Sequence, residues 1–157
     1  MKTHLLVVDD DNDVREGLAM HLSDLGYAVR QARSGDEGLE YFHNRGPFGC
    51  VISDYQMPGL KIRDGVAMLA AIRAEVPEQK CIIQSASWNL AELMEEMGIG
   101  DIPILHKPYS LKEMAEALTK MGVLADYGKA DLDDIRYAQD CESTDGGVDG
   151  IIQGWKK

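Results

Sequence analysis

Leu5-Leu6-Val7-Val8-Asp9-Asp10 sets four apolar residues directly before two acids. A short run with no polar side of its own reads as a strand covered on both faces, the environment of a parallel sheet. Further runs follow at Tyr27–Arg30, Cys50–Ser53, Cys81–Gln84 and Ile102–Leu105. The first, third and fourth runs of this set of five are apolar nearly throughout.

Helix-period segments lie between the runs. Val14, Leu18, Leu22 and Leu25 keep one face, as do Val66, Leu69, Ile72 and Val76. Leu111, Met114, Ala115, Leu118 and Met121 form a third stripe. Ser34 with Glu37 and Ser110 with Glu113 are capping-box pairs that start helices. Gly26 and Gly98 follow helix ends, where a left-handed residue is wanted. The strand–helix unit repeats five times in about 121 residues, which predicts an α/β fold: a doubly wound five-stranded parallel sheet with helices on both faces. One domain is expected over residues 1–124.

Residues 125–157 break the pattern. They carry eight acidic and four basic residues. Leu132 to Gln139 is a candidate short helix and Cys141 to Gly147 reads as a linker. Val148, Ile151, Ile152 and Trp155 share helical spacing that Gly150 and Gly154 weaken. This acidic tail has no room for a separate output domain; a DNA-binding helix-turn-helix needs a larger, more basic segment.

The net charge of −11 argues against direct binding to nucleic acid or an anionic membrane, both of which require a basic face. No apolar stretch approaches ~18 residues, so no span is expected. The chain enters a strand-like run at once, so no signal peptide is expected. Cys50 and Cys81 each open an apolar run, Cys141 stands apart, and no metal-ligand spacing joins them. Buried free thiols in a reducing compartment, the cytoplasm, are the expectation.

Parallel sheets place their sites at the carboxyl ends of the strands. Asp9-Asp10, Asp54, Ser85 and Lys107-Pro108 all fall there. Three carboxylates about 5 Å apart repel by a few kcal/mol per pair at an effective dielectric of about 20. A hard divalent cation relieves that repulsion, and an oxygen-only ligand set with room for water suits Mg²⁺. With an ammonium from Lys107 and a hydroxyl from Ser85, the set fits phosphoryl transfer to a carboxylate. The competing reading of the acidic run is a solvated helix start, favoured by the helix dipole; it suits Asp11 and Asp13 better than Asp9 and Asp10. An EF-hand is rejected because its sixth position is Val14 where glycine is needed. His106 would point to the other side of its strand, and His4, His21 and His43 form no ligand pattern.

LLVVDD, VISDYQMPG, IIQSAS and ILHKPY resemble, in order and strand context, the CheY-like receiver family of two-component response regulators. The resemblance covers roughly residues 3–121 and implies the flavodoxin-like strand order 2-1-3-4-5. It implies that Asp54 is the phosphoacceptor, that Asp10 ligates Mg²⁺ directly and Asp9 mostly through water, and that Gln56 offers its backbone carbonyl. Ser85 and Lys107 would bind the phosphoryl oxygens, with a cis Lys107-Pro108 peptide aiming the lysine. The implied donor is a histidine kinase or a histidine phosphotransfer domain. The implied output is a changed interaction with a downstream protein. Beyond its own phosphorylation and dephosphorylation, such a domain is not an enzyme.

Two departures stand out. The family commonly carries an aromatic residue three positions before the lysine, which swings inward on phosphorylation; here it is Ile104. The family's Met-Pro-x-x-Asp-Gly is three residues longer here, running from Met57 to Gly65 and adding Lys61 and Arg63 near the acids. That insertion reads either as a tolerated surface loop or as an element of partner recognition. A stand-alone receiver or relay intermediate and a receiver excised from a hybrid histidine kinase both remain open. A haloacid-dehalogenase-like phosphatase would share Asp9-x-Asp11, but it lacks the late acidic pair and leaves Asp54 unexplained.

Overall fold

The computed structural model describes residues 2–57, 59 and 61–125. Five parallel strands, β1 (His4–Val8), β2 (Ala28–Ala32), β3 (Cys50–Asp54), β4 (Cys81–Ser85) and β5 (Ile104–His106), form one sheet in the order β2-β1-β3-β4-β5. Five helices alternate with them: α1 (Asn12–Asp24), α2 (Gly35–Arg45), α3 (Gly65–Glu75), α4 (Leu90–Glu96) and α5 (Leu111–Lys120). The readings made for residues 126–157 lie outside the described residues. Among the described residues no helix is long and apolar enough to cross a membrane.

The strand pleat sorts the core into two layers. Leu6, Val8, Val51, Cys81 and Ile83 face α2, α3 and α4, meeting Met68, Leu69, Ile72 and Met94. Leu5, Val7, Cys50, Ile52 and Ile82 face α1 and α5, meeting Leu18, Leu22, Met114 and Leu118. Burial on both faces is why β3 and β4 open on three apolar residues each and carry polar groups only at their carboxyl ends. Cys50 and Cys81 are buried free thiols, as expected. Burial pushes the Cys50 thiol well up and that of Cys81 to about 12, so both stay protonated.

Several local expectations are corrected. Val14 is 44% exposed rather than part of the buried stripe of α1, which instead comprises Arg15, Leu18, Ala19 and Leu22. Ser34 caps α2 through the Glu37 amide, but the Glu37 carboxylate accepts from the Arg33 amide and not from Ser34. The reciprocal box forms only at Ser110 and Glu113. The last strand begins at Ile104, later than the run Ile102–Leu105 suggested; Pro103 has no amide to donate and contributes its carbonyl to Ile83. Gly26 and Gly98 take φ of 104° and 78°, the left-handed turns expected of them.

The long loop before α3 is anchored. The Lys61 and Ile62 amides donate to the Asp36 carboxylate, at 3.4 and 3.2 Å. Ile62 packs over Gly35 so closely that a Cβ there would meet it at 2.5 Å. Lys61 and Ile62 therefore rest on the start of α2. Asp64 then caps α3 through the Ala67 amide at 2.9 Å.

Candidate functional site: an acidic pocket at the strand ends

β1 and β3 pair with Val8 opposite Ser53, so Asp9 and Asp54 follow side by side at the carboxyl edge. One carboxylate oxygen from each of Asp9, Asp10 and Asp54 lies within 4.8 Å of the others. Asp9 and Asp54 are buried and Asp10 is exposed. Lys107, just beyond β5, reaches across β4 and places Nζ 2.7 Å from Asp54 Oδ1. The peptide between Lys107 and Pro108 is cis, as anticipated.

Asp9 is the most constrained acid. Its Oδ1 accepts from the Asp11 amide at 3.0 Å and its Oδ2 from Gln84 Nε2 at 3.3 Å. Burial raises its carboxyl pKa to about 6, against the Asp11 amide and Lys107, which favour the anion; the charges of Asp54 and Asp10 add to the rise. An acid held this way, beside two others, is short of positive charge. The ligand set is all oxygen and one of its members is open to solvent. That fits Mg²⁺, with Asp9, Asp10 and Asp54 as the residues able to hold it.

Ser85 ends β4, 3% exposed. Its Oγ accepts from the Ser87 amide at 2.9 Å and its carbonyl from the Lys107 amide at 2.8 Å. Gln56 is exposed in the loop two residues beyond Asp54. Asp11 is the N-cap of α1, accepting from the Val14 amide, and Asp13 sits in the first turn, the helix-start roles anticipated for both. Gly65 passes directly beneath the site: a Cβ on it would fall 2.1 Å from the Asp54 carbonyl oxygen.

His106 leaves β5 on the opposite face, where its ring stacks on Trp88 with centroids 3.9 Å apart and planes 15° from parallel. Trp88 is 75% exposed, in the turn before α4. Ile104 is half-buried against the core layer beneath α4.

Three partners of the pocket were missed in the sequence. Arg15 is buried on α1; its Nη1 donates to the Asp9 carbonyl and its Nε to the Gln31 side chain, each at 3.0 Å. Gln84 is fully buried between Asp9 and Tyr109, whose hydroxyl donates to Gln84 Oε1. The available signal was a carboxamide inside the apolar run from Cys81, where burying a polar group requires a partner.

The response regulator receiver domain family matches residues 5–119. Response regulator MprA of Mycobacterium sp. (strain KMS) is 33% identical over 114 residues, covering 73% of this chain and 48% of that protein. Transcriptional regulatory protein FixJ of Bradyrhizobium diazoefficiens is 29% identical over 137 residues, covering 85% of this chain and 65% of that protein. The chain thus spans about half the length of the MprA protein. Among solved structures, response regulator TrrA of Thermotoga maritima in complex with Mg²⁺ and BeF superposes with a TM-score of 0.66 at 29% identity, over 76% of this chain and 98% of that one. A receiver domain protein of Clostridium thermocellum gives 0.67 at 27% identity, over 76% and 93%. With the strand order, the acidic pocket and these matches in agreement, the chain belongs to the response regulator receiver family of two-component signalling.

Proposed function

We propose that Asp54 accepts a phosphoryl group from the phosphohistidine of a histidine kinase or phosphotransfer domain, and that the resulting charge changes what the domain binds. The observation that carries this reading is the Asp9, Asp10 and Asp54 cluster with Lys107 Nζ 2.7 Å from Asp54. An Asp54 carboxylate oxygen bonds to phosphorus as the phosphorus–nitrogen bond breaks; the imidazole leaves with the electron pair. Mg²⁺, when bound, supplies neutralisation of the charge that gathers on the phosphoryl oxygens. Lys107 is placed to hold one of those oxygens, and the Ser85 hydroxyl to donate to another. Asp9 and Asp10 hold the cation, joined by Asp54 and the Gln56 carbonyl. A structural relative, TrrA of Thermotoga maritima, has been solved in complex with Mg²⁺ and BeF, which supports this reading.

The domain occupies residues 1–124 in this reading, works in the cytoplasm, and turns over nothing but its own phosphoryl group. It acts either as a stand-alone or relay receiver or as one module of a larger protein. Membership of the receiver family disfavours the phosphatase alternative. Incubation with acetyl phosphate and Mg²⁺ should yield a singly phosphorylated, base-labile protein by intact mass. The Asp54→Asn protein should yield none; incorporation at the wild-type level there would overturn the assignment.

A further inference from the structure

β4 carries a carboxamide where an apolar side chain would serve its packing. Gln84 is fully buried and lies in register with Asp54 on β3 and Leu105 on β5. It follows Ile82 on the α1/α5 face of the sheet. A buried amide without partners would be strongly unfavourable. Gln84 has two, and they lie on opposite sides: Nε2 donates to Asp9 Oδ2 at 3.3 Å, and Oε1 accepts from the Tyr109 hydroxyl. The carboxylate fixes the orientation: it only accepts, so Nε2 faces Asp9, and that leaves Oε1 to accept from the phenol. Tyr109 directly precedes Ser110, the N-cap of α5. A three-residue chain therefore runs from the acidic pocket to the start of α5.

The geometry points to Gln84 as a positioning residue: it holds the Asp9 carboxylate in place for the cation and passes displacement of that carboxylate to Tyr109 at the start of α5. This rests on the reading of the pocket as a Mg²⁺ site. Groups that orient a ligand carboxylate are worth 10- to 100-fold in metal affinity, so loss of the amide should weaken Mg²⁺ binding about ten-fold. Tyr109→Phe leaves every pocket acid in place and frees only Oε1, so it should cost a few-fold.

The test is titration of the whole chain with MgCl₂, followed by calorimetry and by NMR of the tyrosine rings. Gln84→Met keeps the volume and removes the amide; its fold is checked by amide spectra. Wild type should bind Mg²⁺ with a shift of the Tyr109 ring signals. Gln84→Met should bind about ten-fold more weakly, with that shift lost. Wild-type affinity and a Tyr109 response retained in Gln84→Met would overturn the proposal while leaving the Mg²⁺ site standing. A wild type that binds no Mg²⁺ would overturn both. If Gln84→Met does not fold, Tyr109→Phe decides: unchanged affinity there overturns the chain.

Discussion

Lys107 Nζ sits 2.7 Å from Asp54 Oδ1, an ion pair that bridges from β3 to the end of β5 across the intervening strand β4. The pair is partly shielded, with the Asp54 side chain 10% and that of Lys107 33% exposed. Because Lys107 meets Asp54, the proposed phosphoacceptor, and not the exposed Asp10, Lys107→Ala should leave Mg²⁺ binding largely intact. It should instead abolish the amide shifts that beryllofluoride induces away from the pocket. Wild-type shifts in the Lys107→Ala spectrum would show that the lysine does not read the phosphoryl oxygens.

The adjacent acids Asp10 and Asp11 should separate cleanly. Asp10→Ala removes a pocket carboxylate and should weaken Mg²⁺ binding and slow phosphorylation. Asp11→Ala removes the α1 cap to the Val14 amide and should cost about 1 kcal/mol of stability without touching either. Metal titration and chemical denaturation of the two variants distinguish them, and equal losses of Mg²⁺ affinity would refute the division.

Asp9 should make the metal-free protein less stable as pH rises. Its folded pKa, raised by burial to about 6 from 3.8, means that the native state binds more protons than the unfolded chain in that interval. The contribution is fully present below the unfolded value and lost as pH passes the folded one, an effect of roughly 3 kcal/mol at most. Denaturation between pH 4 and 7 should show this slope in wild type and not in Asp9→Asn. Mg²⁺ should restore stability more at pH 7 than at pH 5, because its ligands must be deprotonated.

Trp88 should report the state of the pocket. It follows Ser87, whose amide is bound by Ser85 Oγ, and it stacks on His106, the neighbour of Lys107. A shift of Ser85 or Lys107 toward a phosphoryl group therefore pulls on both ends of the stack. In a Trp155→Phe background, Mg²⁺ with beryllofluoride should change Trp88 emission, and Asp54→Asn should abolish the change. Constant emission with unshifted amides over residues 85–97 would rule this route out and leave the 57–65 loop as the output.

The five strands, their parallel arrangement and the position of the acidic pocket were legible in the sequence. Runs such as Cys50–Ser53 are apolar on both faces, as a covered sheet requires, their shortness and the helix-period segments between them point to strands, and the acids stand where such runs end. Gly26 and Gly98 were legible for the same local reason, since each sits where the chain must turn left-handed.

Tertiary structure alone decided which side chains meet. Periodicity put Val14 in the core and left Arg15 outside; packing reversed them, because Arg15 can satisfy its guanidinium on the Asp9 carbonyl and Gln31 while Val14 needs no partner in water. The docking of Ile62 over Gly35, the Trp88–His106 stack and the Asp9–Gln84–Tyr109 chain each join elements far apart in sequence. Local patterns record which face a residue shows, whereas a contact depends on the register and spacing of two elements at once. That is why the location of the pocket could be read from the chain, and the groups that hold its acids in place could not.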